Sequence, residues 1–275
     1  MWSALSFLAL GSSSCGDSGS AAAGGGSVRP LRLAVIPKGT LHEFWKAVHA
    51  GAKTAAAELG VAIEWKGPDP EGDRQAQIQT VQNFLAAGVQ GIVLAPVDQQ
   101  ALVPAVAEAK AAKVPTVVFD SGLAGDAHVA FVATDNRAGG VLAAERLGSL
   151  LQGKGRVVML RFQQGSASTM AREEGFLSTL QGKFPRIQVV SSDQYGGDTE
   201  KAVAASESLL VAHPDVEGAF CPNESTAHGM LIALQRASKA GKVKFVGFDA
   251  SAALLTGLEK GEVLGLVVED PVGMG

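Results

Sequence analysis

Two carboxylates stand at the same place in two similar phrases. Val114-Pro115-Thr116-Val117-Val118-Phe119-Asp120 and Val243-Lys244-Phe245-Val246-Gly247-Phe248-Asp249 are short, mostly apolar runs that stop at Phe-Asp. Runs of this length read as buried strands and are too short for helices. In open α/β sheets, ligands bind outside the carboxyl ends of the strands. Asp120 and Asp249 are therefore expected at the mouth of a cleft, one from each of two lobes. There they can accept hydrogen bonds from a ligand, and in principle a facing pair could share acid–base work. The plainer role for each is to cap a following helix.

The elements around these strands alternate. Strands are expected at 31–36, 61–65, 91–94, 114–119 and 131–134, with helices at 41–59, 73–87 and from Pro96-Val97-Asp98 to about Lys113. Asp135 should cap a helix reaching Leu151, followed by a turn at Gly153-Lys154-Gly155. A second series then places strands at 157–160, 187–191, 218–221, 245–248 and 264–268, and helices at 167–180, 198–212, 225–239 and 251–259. Pro214 ends the second of these helices, because proline cannot continue one. Alternation of this kind implies a parallel sheet covered by helices on both faces. The fold class is thus α/β, with two doubly wound parallel-sheet lobes at 28–134 and 135–269. Residues 270–275 begin a return to the first lobe. With no final helix after Asp270-Pro271 and no returning strand in the first lobe, the chain reads as incomplete at its C-terminus.

Composition narrows the function. The chain has 275 residues, 47% hydrophobic and 18% charged, which suits a packed core and argues against disorder. A net charge of −4 without a Lys/Arg run argues against nucleic acid as a partner. There are two cysteines, Cys15 in a flexible leader and Cys221 in an apolar run, so neither a disulfide nor a thiolate metal site is suggested. No phosphate-binding or nucleophile-elbow motif occurs and no His/Cys spacing suggests a metal, so no cofactor is expected. The leader has an apolar block at 1–10, then Cys15, then a Gly/Ala/Ser tract to Ser27. It resembles the end of a bacterial lipoprotein signal, with Cys15 as the lipidated residue and the tract as a tether. The block is too short to span a membrane.

An ordered set of motifs supports a family resemblance. Phe44-Trp45 is followed by Phe119-Asp120, Thr134-Asp135-Asn136 with Gly139-Gly140, and Arg172-Glu173-Glu174-Gly175-Phe176. His213-Pro214-Asp215 with Asn223, and Val246-Gly247-Phe248-Asp249, complete it. From about Leu31 onward the chain resembles the type I periplasmic sugar-binding proteins, the ribose-binding-protein-like receptors of ABC importers. The resemblance implies two lobes joined by three hinge crossings, a sugar between them and closure on binding. The crossings would fall near Thr134-Asp135, near Glu269-Asp270 and beyond Gly275, leaving apolar surface of the first lobe uncovered. It further implies a non-enzymatic, extracytoplasmic monomer that hands a monosaccharide or small polyol to a membrane permease, and the leader adds the expectation of a lipid anchor at Cys15.

The same resemblance assigns site residues. Phe44 and Trp45 would stack on the sugar's C–H faces, although consecutive residues point to different sides of a helix and either could belong to the core. Asp120 and Asp249 would accept from hydroxyls, Arg172 would offer its planar fork, and Asn223 would both donate and accept. The plainer role for Arg172 is a surface ion pair with Glu173 or Glu174, and for Asn223 a turn after Pro222. Three positions depart from the ribose-binding pattern: Ser121 replaces an arginine, His42 an asparagine and Glu269 a glutamine. Lys38 is similar to a ligand-contacting lysine of autoinducer-2 receptors, or is simply a solvated loop lysine. A receptor coupled to a sensor kinase would have the same cleft. A LacI-type regulator shares the fold, but would carry a basic helix-turn-helix before the first strand; here that strand starts at Leu31.

Overall fold

The computed structural model describes residues 30–275. The reading of Cys15 and of the tether lies outside the described residues. The first lobe contains β1 (Arg32–Ile36), α1 (Glu43–Leu59), β2 (Ala62–Trp65), α2 (Arg74–Ala86), β3 (Gly91–Leu94), α3 (Val103–Ala111), β4 (Thr116–Phe119) and β5 (Ala130–Val132). The second contains α4 (Asn136–Leu150), β6 (Lys154–Met159), α5 (Ala167–Lys183), β7 (Arg186–Ser191), α6 (Thr199–Ala212) and β8 (Gly218–Phe220). It continues with α7 (Glu224–Arg236), β9 (Lys244–Phe248), α8 (Ala252–Glu259) and β10 (Gly265–Val267). A last short helix, α9 (Pro271–Met274), packs back on α1.

Both five-stranded sheets are parallel throughout, ordered β2-β1-β3-β4-β5 and β10-β9-β8-β6-β7. Numbered within its own lobe and read from the other edge, the second order matches the first. Each sheet therefore reverses direction once, between β1 and β3 and between β6 and β8, and such reversals open a crevice at the strands' carboxyl ends. The strands are apolar because helices cover both faces. In the first lobe Val81, Phe84, Leu102 and Val106 fill one face, while Trp45, Val48, Ala95 and Phe119 fill the other. In the second, Leu209, Met230, Leu234 and Phe245 lie on one face and Leu147, Phe176, Phe220 and Phe248 on the other. Fully burying a Phe of this kind contributes about 1.5–3 kcal/mol. Uncovered apolar surface is found in the first lobe at the edge strand β5, where Phe131 and Val132 are each 52% exposed.

Local details differ from the sequence expectations in three places. Asp98 does not open a helix: its carboxylate accepts from the N–H groups of Gln100 and Ala101, which holds a turn, and α3 starts only at Val103. Lys154 and Gly155 are not a turn but the start of β6, recruited by pairing with Arg186 and Ile187. A final helix does follow Asp270-Pro271, since Asp270 accepts from the Gly273 N–H and Pro271 supplies a pre-set φ at the first turn.

Candidate functional site

Asp120 and Asp249 end β4 and β9 in the same conformation. Both adopt left-handed backbone, with φ of 59° and 69°. Asp tolerates this region better than most side chains. Each also ties its N–H to the neighbouring edge strand, Asp120 to the Val132 carbonyl at 3.0 Å and Asp249 to the Val267 carbonyl at 2.8 Å. Neither caps the helix that follows it; Ser251, not Asp249, occupies the N-cap of α8, and Asp249 accepts from the Glu224 N–H at the start of α7. Both side chains instead turn toward the space between the lobes.

In the first lobe Lys38 follows β1 at the sheet reversal and is only 2% exposed. It is no solvated loop lysine. Its ammonium lies 2.9 Å from Asp120 Oδ2, an ion pair outside good hydrogen-bond alignment, and donates to Ser168 Oγ at 2.8 Å and Ser166 Oγ at 3.3 Å across the cleft. Ser121 donates no charge here; its hydroxyl accepts from the Ser168 N–H. Phe44 and Trp45 do not diverge as consecutive helical residues would. Their rings meet edge to face at 4.9 Å, and both border the interlobe space. Trp45 is nevertheless mostly a core residue, 2% exposed and packed beside Phe119. Phe44 is the more accessible stacking surface.

In the second lobe Arg172 is held by helix packing. A Cβ at Gly140 would come 1.9 Å from the Arg172 carbonyl, and one at Gly175 would come 2.2 Å from the Arg137 carbonyl, so the two glycines let α4 and α5 touch along their backbones. That contact brings Asn136 Oδ1 within 2.7 Å of Arg172 Nε. Arg172 also donates to the Pro222 carbonyl at 3.0 Å and to Glu269 Oε1, and its plane lies 4.0 Å from the Phe248 ring centre. It forms no surface pair; Glu173 binds Arg161 instead. Asn223 precedes α7 without capping it. Its amide donates to Ser225 Oγ and accepts from the Thr226 hydroxyl.

Sequence reasoning missed four residues bordering the same space: Glu71, Ser168, Thr169 and Glu224. Glu224 is the most informative. Its carboxylate crosses the cleft and accepts from the N–H groups of Glu43 and Phe44, at the start of α1, at 3.2 and 3.0 Å. In return Glu43 accepts from the Ala252 N–H at the start of α8. Each lobe thus places a carboxylate on a helix N-terminus of the other, where orphan N–H groups and the helix dipole favour negative charge. His42 sits between Glu71 and Glu224, 3.6 and 3.7 Å from their oxygens. The position of Glu224, beside Asn223 at a helix start, was a usable signal; Glu71, in a turn-rich loop, offered none. The residues of both lobes meet around a cavity of about 20 Å³, so the cleft is shut nearly side chain to side chain.

Residues 33–275 match the model of the periplasmic binding protein domain. The chain belongs to this family of periplasmic binding proteins. It is 31% identical to the D-ribose/D-allose-binding protein of Pseudomonas aeruginosa over 85% of this chain and 75% of that one. It is 30% identical to the D-allose-binding periplasmic protein of Escherichia coli over 88% of this chain and 80% of that one. Among solved structures, a periplasmic component of an ABC-type sugar transport system from Hahella chejuensis superposes with TM-score 0.85 at 37% identity, covering 88% of this chain and 89% of that one. A carbohydrate transporter solute-binding protein from Agrobacterium radiobacter, in complex with D-arabinose, gives 0.86 at 33% identity over 90% and 86%.

Charge in this binding protein's cleft is unevenly matched. Burial pushes the Asp249 carboxyl up to about 8, against the opposing pull of Arg172 and with help from the negative charges of Glu269 and Glu224. Burial also raises Glu71, which His42 and Lys38 offset only in part. Glu224 goes the other way: burial would raise it, but His42 and the two N–H groups of α1 hold it below its ordinary value. His42 is itself raised; burial opposes its charge, and Glu224, Glu71 and Asp249 outweigh that. Asp249 Oδ1 and Glu269 Oε2 are buried without a hydrogen-bond partner among the described residues.

Proposed function

We propose that this periplasmic binding protein takes a monosaccharide or similar small polyol between its lobes, as the solute-binding component of an ABC importer. The observation that carries the reading is the pairing of unsatisfied buried acceptors with an aromatic face in one interlobe space. Asp249 Oδ1 and Glu269 Oε2 need hydrogen-bond partners, which hydroxyls supply, and Phe44 with Trp45 offers a surface for C–H faces. The site residues are Lys38, His42, Phe44, Trp45, Asp120, Arg172, Asn223, Asp249 and Glu269. Its mechanism is hinge closure, because contacts from both lobes exist together only when the cleft is shut. No chemical step is required. Relatives and structural neighbours described as sugar-binding support this reading.

The division at 28–134 and 135–269, a lipid anchor on Cys15, a periplasmic or extracytoplasmic location, a monomeric state and a membrane permease as partner complete the proposal. Lys38 at the site keeps autoinducer-2 as the second ligand to test. A thermal-shift screen of the chain from Ser27 onward against monosaccharides, sugar alcohols and autoinducer-2 tests the function. A ligand at 100 times its dissociation constant adds about 2.7 kcal/mol, a clear rise in melting temperature. No rise with any of them in folded protein removes the sugar reading. A Cys15→Ser variant that fractionates with membranes as before removes the anchor.

A further inference from the structure

We infer that the preferred ligand is a polyol bearing a positive charge, such as an amino sugar, recognised by the surplus of buried carboxylates between the lobes. The inference rests on the sugar-binding reading of this site and narrows it.

Five carboxylates border the interlobe space, from Glu71, Asp120, Glu224, Asp249 and Glu269. The fixed cations there are Lys38 and Arg172. Five carboxyl groups thus face two fixed cations, or three when His42 is protonated. The cations are also already committed. Lys38 faces Asp120, and Arg172 is shared among Glu269, Asn136 and the Pro222 carbonyl. Glu224 is served by the start of α1. Asp249 is likewise served at one oxygen by the Glu224 N–H at the start of α7, so the carboxyl groups left without a cation of their own are Asp249 and Glu71. Asp249 is 7% exposed and one of its oxygens, like one of Glu269, is buried without a partner. Only the His42 ring approaches Glu71 within ion-pair distance among the described residues.

A neutral sugar hydroxyl supplies one donor and brings two acceptor lone pairs into a space already rich in acceptors. An ammonium group supplies three donors, no acceptor and the missing charge. It resolves the carboxylate orphans without asking Asp249 to hold a proton. The raised pKa values of Asp249 and Glu71 agree: burial is the largest cause of both, and neighbouring carboxylates add to it. Uronic acids and sugar phosphates are disfavoured by the same surplus, because like charges in a buried site repel strongly.

The test is titration calorimetry of the full chain with matched pairs at about pH 6, where an ordinary amine is protonated: galactosamine and galactose, glucosamine and glucose, mannosamine and mannose, with each N-acetyl derivative and glucuronic acid. At least one amine should bind tenfold or more tightly than its hydroxyl partner, and N-acetylation, which removes the charge, should abolish the gain. Glu71→Gln should shrink the amine-to-hydroxyl ratio several-fold. Neutral sugars binding as tightly as the amines, tight binding of glucuronic acid, or an unchanged ratio in Glu71→Gln overturns the inference and leaves the sugar reading in place. Absence of binding by the whole panel overturns both.

Discussion

The two Phe-Asp strand ends share a backbone and differ in their electrostatics. Asp120 and Asp249 have nearly the same φ and the same N–H bond to the adjoining edge strand. Yet Asp120 meets a cation from its own lobe, Lys38 at 2.9 Å, whereas Asp249 meets a peptide N–H of α7 at 2.8 Å, and the nearby Arg172 is occupied by Glu269. One carboxylate is half of an ion pair; the other is held up to about 8 by burial and like charges. Local sequence repeats the geometry of a site. The charge state comes from residues that tertiary packing delivers.

The contrast can be broken by mutation. Asp120→Ala leaves the Lys38 ammonium buried and unpaired, which should cost about 3–5 kcal/mol of stability in urea unfolding. Asp249→Asn keeps the shape and removes the ionisation that favours the unfolded chain above the acid's ordinary pKa, so ligand-free stability at neutral pH should hold or rise. A comparable loss in both variants would remove the distinction between the two strand ends.

Binding should respond differently. Asp249→Ala and Arg172→Ala should each weaken sugar binding by about 1–3 kcal/mol, the cost of leaving buried polar partners unmatched. Unchanged calorimetry for both variants would take these residues out of the site. Proton linkage sharpens the comparison further. Asp249 lies above its ordinary 3.8, so between that value and about 8 the folded carboxyl keeps a proton that the unfolded chain has released. Its stabilising contribution is complete at low pH and is lost as pH rises through about 8. The melting temperature of the wild type should therefore fall relative to Asp249→Asn from about pH 5 to pH 9. Parallel curves would contradict the raised value.

The smallest effect belongs to the crossed contacts. Glu224→Gln keeps the hydrogen-bonding shape but removes the charge from the start of α1, worth about 0.5–1 kcal/mol. Small-angle scattering should then show a more open ligand-free protein. An unaltered radius of gyration would mean that these contacts do not hold the lobes together.

The strand ends, the Asp135 cap and the alternation of elements were legible because they depend on runs of a few residues. Asp135 accepts from the Ala138 N–H at 2.9 Å, as its place before α4 suggested. The start of α3 was misread, since Asp98 bonds its own turn rather than a helix. Among the site residues, Arg172 was recognised but its partner was not: Glu269 lies 97 residues away, and local charge pointed to Glu173. Glu71 was invisible because a loop acid ordinarily faces water, whereas here it is drawn into the interlobe space beside His42.

The sequence by itself determined the α/β alternation, the repeated Phe-Asp strand ends and the presence of an aromatic pair at the start of α1. These follow from short-range periodicity and from residue type. The tertiary structure decided which carboxylates are paired and which are not. It set Lys38 against Asp120, enclosed Arg172 between Asn136, Pro222 and Glu269, and carried Glu224 across the cleft to α1. Hydrogen bonds and charges act over a few ångströms, and residues far apart in the chain come within that reach only when helices and sheets have packed.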